Sequence, residues 1–330
     1  MKDSQSKRMR LQGLSFKEEL LGQVIDFQNK FIYLSLVPWE ICNWSCSYCH
    51  QGEGHKDSTE LSLSEMKGFI REAAKLGFKA ILLLGGEVLL KNRWAITQAI
   101  VQTAFDENLI TLIYTNGSQI SEEMIEYLAQ HNVSMAFKVD SLNEERYDLL
   151  TGRPGSFEST MNAISMAKGT SLSEIVMEND RERLVRLLFT TVGCKLNYDE
   201  YISLARFATN NGARWMMESL NYRGNALQNQ SLALSPEQHA DAMKTAMLLN
   251  SEQRHEFQTP CRLLSCITIR KGGEIGICPQ DYHFSGNIHQ LGSLSATIDY
   301  IRNQTDRDLF FREWNGRCPI KKNSFTSTNL

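Results

Sequence analysis

Cys42-Asn43-Trp44-Ser45-Cys46-Ser47-Tyr48-Cys49 sets three cysteines at C-x3-C-x2-C spacing. Three thiolates closing on one loop suit three irons of a [4Fe–4S] cube and leave the fourth iron open to a small chelating molecule. A zinc site is the other reading of clustered cysteines, but zinc sites more often pair C-x2-C units and close with a fourth ligand. Just upstream, residues 31–37 (FIYLSLV) form a short apolar run that reads as a buried strand. The loop is therefore expected just past the C-terminal end of a strand, the side on which α/β barrels carry their chemistry.

From that strand onward the chain alternates. Further strands are expected at 79–84, 109–114, 133–139, 184–192 and 214–220. Between them, Ser62-Leu63-Ser64-Glu65 reads as a capping box that opens a helix ending near Gly77. Helices are also expected at 94–105, 121–131 (with Ser121 as N-cap), 143–150, 157–168 and 199–210. Residues 171–181 are polar and read as a loop or short extra helix. Strand–helix alternation is the pattern of a parallel sheet. The fold class is α/β: a partial (β/α)6 TIM-like barrel over 31–230, open on one side, after a lead-in at 1–30.

The remainder, 231–330, reads as a small C-terminal domain. Ser235-Pro236 starts a helix that runs to about residue 250. Residues 266–270 and 274–278 flank Lys271-Gly272-Gly273 as a β-hairpin. A last helix is expected at 295–302.

Composition sets the class. A chain of 330 residues, 42% hydrophobic, is long enough for one large barrel and an appendage. A net charge of −3 gives no basic footprint for nucleic acid. The first ten residues lack the apolar core of a signal peptide, and no apolar run reaches membrane-spanning length. The expectation is a cytoplasmic protein without a membrane partner. In such a chain clustered cysteines read as metal sites rather than disulfides. Cys42, Cys46 and Cys49 form one group and Cys261, Cys266, Cys278 and Cys318 a second. Cys194 stands alone and reads as a small buried hydrophobe.

Polar residues recur where strands end. Gly85-Gly86-Glu87 follows the second strand, where glycines allow close backbone approach and a carbonyl or carboxylate can accept from an ammonium group. Thr115 and Asn116 end the third strand, and Lys138, Asp140 and Ser141 the fourth. Thr190 lies on the fifth, and Glu218, Leu220, Asn221 and Arg223 lie on or after the sixth. Each alone has an ordinary turn or surface reading, but successive strand ends converge on one rim of a barrel.

The C-x3-C-x2-C loop with the following GGE resembles the radical S-adenosylmethionine (SAM) enzymes. The resemblance implies that Cys42, Cys46 and Cys49 hold the catalytic [4Fe–4S] cluster, whose open iron takes the amino and carboxylate groups of SAM. Reductive cleavage then yields a 5′-deoxyadenosyl radical that abstracts a hydrogen. Tyr48 matches the aromatic position near the adenine. Gly85, Gly86, Glu87, Thr115, Asn116, Lys138, Ser141, Thr190 and Leu220 match positions for SAM contacts. Asp140, Glu218 and Arg223 are catalytic or substrate-facing candidates by position.

Together with Asp140-Ser141-Leu142 and Leu150-Thr151-Gly152-Arg153, the barrel resembles the molybdenum-cofactor GTP 3′,8-cyclase branch. Departures point away from GTP cyclisation. Residues 80–84 are apolar where the cyclase is basic, Val88 replaces a proline, and residues 327–330 lack the diglycine tail. The C-x11-G-x4-C run from Cys261 through Gly273 to Cys278 resembles the SPASM and Twitch auxiliary-cluster domains. That resemblance implies auxiliary ligands at Cys261, Cys278 and Cys318; Cys266, which departs from the usual pattern, is available as the fourth, and four thiolates would give a fully ligated [4Fe–4S] cluster.

The expected function is a radical SAM oxidoreductase. It would use an external one-electron reductant of flavodoxin or ferredoxin type and oxidise a small biosynthetic intermediate. Maturation of a short ribosomally made peptide is the second reading, and a non-enzymatic iron–sulfur scaffold or electron-transfer protein the third.

Overall fold

The computed structural model describes residues 33–51, 60–179, 182–238, 240–241, 244–245, 266–279 and 286–303. Strand β1 (Tyr33–Val37) is buried at every position, as are β2 (Ala80–Leu83) and β7 (Leu187–Gly193). Strands covered on both faces read as unbroken apolar runs, which marks a parallel sheet clad in helices. With β3 (Ile110–Thr115), β4 (Val133–Lys138) and β8 (Ala213–Ser219) they form the six expected strands, paired in parallel in the order β1-β2-β3-β4-β7-β8.

Side chains alternate across the sheet. Leu34, Leu36, Ile81, Leu83, Ile113, Phe137 and Phe189 face the helices and join the main core. Tyr33, Ala80, Leu82, Leu112, Ala136 and Leu188 fill the inner face. The sheet curls. Tyr114 on β3 lies within electrostatic reach of Glu218 on β8 and of Cys266, which opens a later strand (Cys266–Arg270) on the far side of β1. Each of those strands lies three places from β3 in opposite directions, about 14 Å away in a flat sheet.

The helices are capped as their sequences demand. In α1 (Leu63–Lys75), Ser62 and Glu65 form the reciprocal capping box. After α2 (Trp94–Asp106), Ser121 caps α3 (Glu122–Gln130). Asn143 caps α4 (Glu144–Thr151), and α5 (Ser156–Lys168) follows a left-handed Gly155. Residues 171–181 hold more structure than a loop: a 3₁₀ turn, then β5 (Val176–Asn179), which pairs with β6 (Glu182–Leu184) in a small separate sheet. After β7, α6 (Tyr201–Asn210) leads into β8, and α7 (Asn225–Gln228) follows it. Ser235 Oγ accepts from Gln238 N at 3.2 Å, the cap expected for the next helix.

The C-terminal hairpin forms as expected from β9 (Cys266–Arg270) and β10 (Glu274–Gly276). It does not stand apart from the barrel. β9 lies parallel to β1, from Tyr33↔Cys266 to Val37↔Arg270, so the barrel sheet has seven parallel strands and continues antiparallel through β10 to β11 (Gly286–Asn287). Helices α8 (Ile288–Leu291) and α9 (Leu294–Arg302, capped by Ser293) follow. The lead-in, Cys261 and Cys318 lie outside the described residues. No helix among the described residues is long and apolar enough to cross a membrane.

Arg186, just before β7, is a buried cation with a purpose the sequence did not reveal. Its guanidinium donates to Val133 O at 2.8 Å, His131 O at 2.7 Å, Ala129 O at 3.1 Å and Leu128 O at 3.2 Å. It thereby closes the carbonyl end of α3 and joins it to β4. Arg186→Met leaves these carbonyls without the donor. The expected cost is about 3 kcal/mol or more, since bonds to charged donors contribute roughly 1.5–3 kcal/mol each. It would be read as a lower midpoint in anaerobic urea unfolding.

Candidate functional site

The cysteine loop leaves β1 through residues 38–41, and this segment lies directly on the GGE turn. Gly86 N donates to Trp39 O at 3.2 Å, Glu87 N to Ile41 O at 2.9 Å, and Trp39 Nε1 back to Glu87 O at 2.8 Å. A Cβ on Gly85, whose φ is +155°, would stand 2.4 Å from Trp39 O, and one on Gly86 would stand 2.1 Å from Ile41 O. Both glycines are thus required by the approach of another backbone, where sequence reasoning assigned them to the approach of a ligand.

Glu87 differs from expectation in the same way. Its carboxylate turns inward and accepts from Leu89 N at 2.8 Å, Thr115 Oγ1 at 2.8 Å and Asn116 N at 2.7 Å. Burial pushes its pKa up, against the pull of those bonds. It ties the ends of β2 and β3 together, so the acceptors this turn offers an ammonium group are backbone carbonyls.

Two further segments grip the loop. Ser45 N donates to Thr151 O at 3.2 Å and Ser47 N to Leu150 O at 2.9 Å. Gly152 (φ +65°) passes so near that a Cβ would stand 2.6 Å from Ser45 O. From beyond β8, Asn225 donates its backbone N–H to Cys49 O at 2.9 Å and its Nδ2 to Cys46 O at 3.0 Å, and Asn229 Nδ2 donates to Ser47 O at 3.1 Å. Sequence reasoning missed Asn225 and Asn229. The only available signal was an amide-rich run after a strand, because the contacts span about 180 residues.

The three thiols share this cage: Cys46 lies within electrostatic reach of Cys42 and Cys49, and Cys42 within reach of Cys49. Burial pushes Cys42 up to about 11 and Cys46 higher still. Iron must therefore displace protons, and loading strengthens as pH rises. Asn116 Nδ2 lies 3.8 Å from Cys42 Sγ and donates to Asn43 Oδ1 at 3.1 Å, while Trp44 N lies 3.4 Å from the same sulfur. Among the described residues no three His, Cys, Asp or Glu side chains are gathered to hold a single ion; a cube instead takes each thiolate on a different iron. Three thiols on one caged loop, with N–H donors beside Cys42, fit that group.

Tyr48 is buried, and its hydroxyl donates to Asp140 Oδ2. Asp140 is fully enclosed. Its other oxygen accepts from Val192 N at 2.7 Å and lies 3.7 Å from Lys138 Nζ, which also stands 5.2 Å above the Tyr48 ring. Burial raises the Asp140 pKa, opposed by Lys138, Tyr48 and Val192 N. This geometry gives Asp140 a positioning task, whereas its position in sequence had made it a catalytic candidate.

Thr115, Asn116, Lys138 and Tyr48 are thus brought around the loop. Leu220 packs with Tyr48, Leu150 and Val192. Thr190 Oγ1 bonds Phe137 O at 3.4 Å. Ser141 does not join them: its hydroxyl donates to Glu200 Oε1 at 2.7 Å and accepts from Asn143 N at 3.0 Å, which builds the turn into α4. Glu218 is half-buried on the inner face of β8, near Asp140 and Tyr114. Arg223 is half-buried in the turn beyond β8, with its N–H on Asn221 O at 2.7 Å.

Among the later cysteines, Cys278 is buried after β10. Cys266 opens β9, whose antiparallel register with β10 (Gly276↔Thr268) carries Cys278 back toward it. Its place on β9 turns the thiol into the barrel, fully buried among Tyr33, Ala80 and Leu82. Cys194 is buried beside Tyr48, and burial pushes it up to about 11, as suits an inert thiol.

Gly86→Ala tests the cage. The added methyl has no room against Ile41 O, so the loop must shift, and iron after anaerobic reconstitution is expected to fall by about four per chain. Gly68→Ala, on the exposed face of α1 with nothing within 4 Å, is the matched control and should keep its iron.

Residues 36–208, just over half of the chain, match the model of the Radical SAM superfamily. Among curated relatives, a GTP 3′,8-cyclase of Vibrio parahaemolyticus is 29% identical over 146 residues, 43% of each chain. The AdoMet-dependent heme synthase of Methanosarcina barkeri is 30% identical over 138 residues, 40% of this chain and 39% of that one. The chain thus spans about two fifths of the length of these relatives. Among solved structures, Streptococcus suis SuiB bound to S-adenosylmethionine gives a TM-score of 0.63 at 14% identity, covering 87% of this chain and 71% of that one. Bound to its precursor peptide SuiA, SuiB gives 0.58 at 14% identity, covering 95% and 73%. At that identity the likeness bears on the fold. The family match runs from within β1 to within α6 and takes in the whole cysteine loop, and by it the chain belongs to the Radical SAM superfamily.

Proposed function

We propose that the chain is a radical SAM oxidoreductase acting on a small biosynthetic intermediate, with an auxiliary [4Fe–4S] cluster as electron acceptor. The observation that carries this reading is the cysteine loop caged from three sides by segments that follow β2, β4 and β8. With the cube and SAM bound, the chemistry supplied is a 5′-deoxyadenosyl radical that takes hydrogen from an unactivated C–H bond.

The protein positions and encloses. Cys42, Cys46 and Cys49 hold the cube. The carbonyls of the Gly85-Gly86 turn would accept from the ammonium of SAM, and Tyr48, held by Asp140 and covered by Lys138, would pack near the adenine. Thr115 and Asn116 hold their places through Glu87. Inside the barrel, Leu82, Leu112, Ala136 and Leu188 keep water from the floor of the site. Tyr114 and Glu218 give the space above them polar character. Cys261, Cys278 and Cys318, with Cys266 as the fourth, are the auxiliary ligands in this reading. An external one-electron reductant of flavodoxin or ferredoxin type completes the cycle. The likeness to peptide-bound SuiB favours a short peptide as the second substrate reading.

Iron and sulfide content of anaerobically reconstituted protein tests this. Wild type is expected to hold about eight irons and a Cys42/Cys46/Cys49→Ala triple variant about four. About four falling to none removes the auxiliary acceptor, and zinc with negligible iron removes the whole reading. For the substrate, 5′-deoxyadenosine should form stoichiometrically with a small metabolite; formation only with a short peptide overturns that choice.

A further inference from the structure

Three charged side chains lie buried together where the cysteine loop meets the C-terminal hairpin. The Glu40 side chain is 3% exposed, Lys271 10% and Arg270 3%. Lys271 Nζ is 3.4 Å from Glu40 Oε2, and Arg270 Nη1 is 4.0 Å from Glu40 Oε1. Arg270 Nη2 also donates to Pro279 O at 2.5 Å, beside Cys278. Buried ion pairs give little net stability, because desolvation offsets the attraction. Their location is more informative. Glu40 precedes Cys42 by two residues, a span of at most about 7 Å. Arg270 pairs across the sheet with Val37, the last residue of β1.

We propose that Glu40, Arg270 and Lys271 are positioning residues that set the reduction potential of the cube held by Cys42, Cys46 and Cys49. This rests on the radical SAM reading of that loop. Reduction adds one negative charge to the cube. A cation nearby favours the reduced form and a carboxylate opposes it, and enclosure keeps solvent from screening either. The two signs are held at fixed places by β9 and by the segment lying on Gly86, so each acts on the cube with its own sign. Arg270 adds a mechanical link, since one guanidinium touches both cysteine-bearing segments.

The test is a redox titration of the anaerobic holoenzyme, following the electron paramagnetic resonance signal that responds to SAM. Lys271→Met should lower the midpoint and Glu40→Gln should raise it. Each shift should be roughly tenfold in the oxidised-to-reduced ratio at fixed potential, about 59 mV for one electron. Lys271→Arg should stay at the wild-type value, and the Glu40→Gln/Lys271→Met double variant should return close to it. Shifts in the same direction, or none, overturn the proposal, because a purely structural role carries no sign. If Glu40→Gln fails to hold iron, Lys271→Met and the double variant decide: an unmoved Lys271→Met overturns it. A wild type with no SAM-responsive signal removes the radical SAM reading, and the proposal with it.

Discussion

Between residues 39–41 and the turn at Gly85-Gly86 two backbones pass with no room for a Cβ on the turn. That contact fixes where the chain leaves β1, and everything at the site follows from it. The amides of Gly86 and Glu87 are occupied by Trp39 and Ile41, and Glu87 is forced inward, where Thr115 and Asn116 at the end of β3 and its own neighbour Leu89 N hold it. The cysteine loop is therefore referenced to two strands at once. Leu150 to Gly152 and Asn225 then fix its far end. A loop of eight residues would otherwise lose much conformational freedom on binding iron; here the fold has already removed it.

The same enclosure shapes the electrostatics. Burial disfavours charge on Cys42, Cys46, Asp140 and Glu87 alike. The carboxylates answer with hydrogen bonds from backbone N–H groups, and Asp140 adds Lys138 and Tyr48. The thiols have few such partners, and a polycation of iron is the natural counterpart to three of them on one loop.

Much of the architecture was legible because parallel strands buried on both faces announce themselves as apolar runs such as residues 33–37 and 80–83. Helix starts at Ser62 and Ser121 were legible because capping is a local contest for orphan N–H groups. The chemistry of Cys42, Cys46 and Cys49 was legible because its ligands fall within eight residues. What stayed hidden depends on distant partners. The pairing of β9 with β1 joins residues more than 200 positions apart, and it turns Cys266 into the barrel. Arg186 and Asn225 act on carbonyls remote in sequence. Ser141 and Glu87 sit at expected positions but turn to Glu200, Thr115 and Asn116, since side-chain direction at a strand end depends on what the neighbouring strand presents.

Everything proposed for this chain requires the caged loop to hold a cube with an iron open to SAM. Electron paramagnetic resonance of the reduced protein, recorded with and without SAM, addresses it most directly. SAM should change the line shape of the wild-type signal, and the Cys42/Cys46/Cys49→Ala variant should show no such response. A wild-type spectrum unchanged by SAM, from protein that carries its full iron, would contradict it.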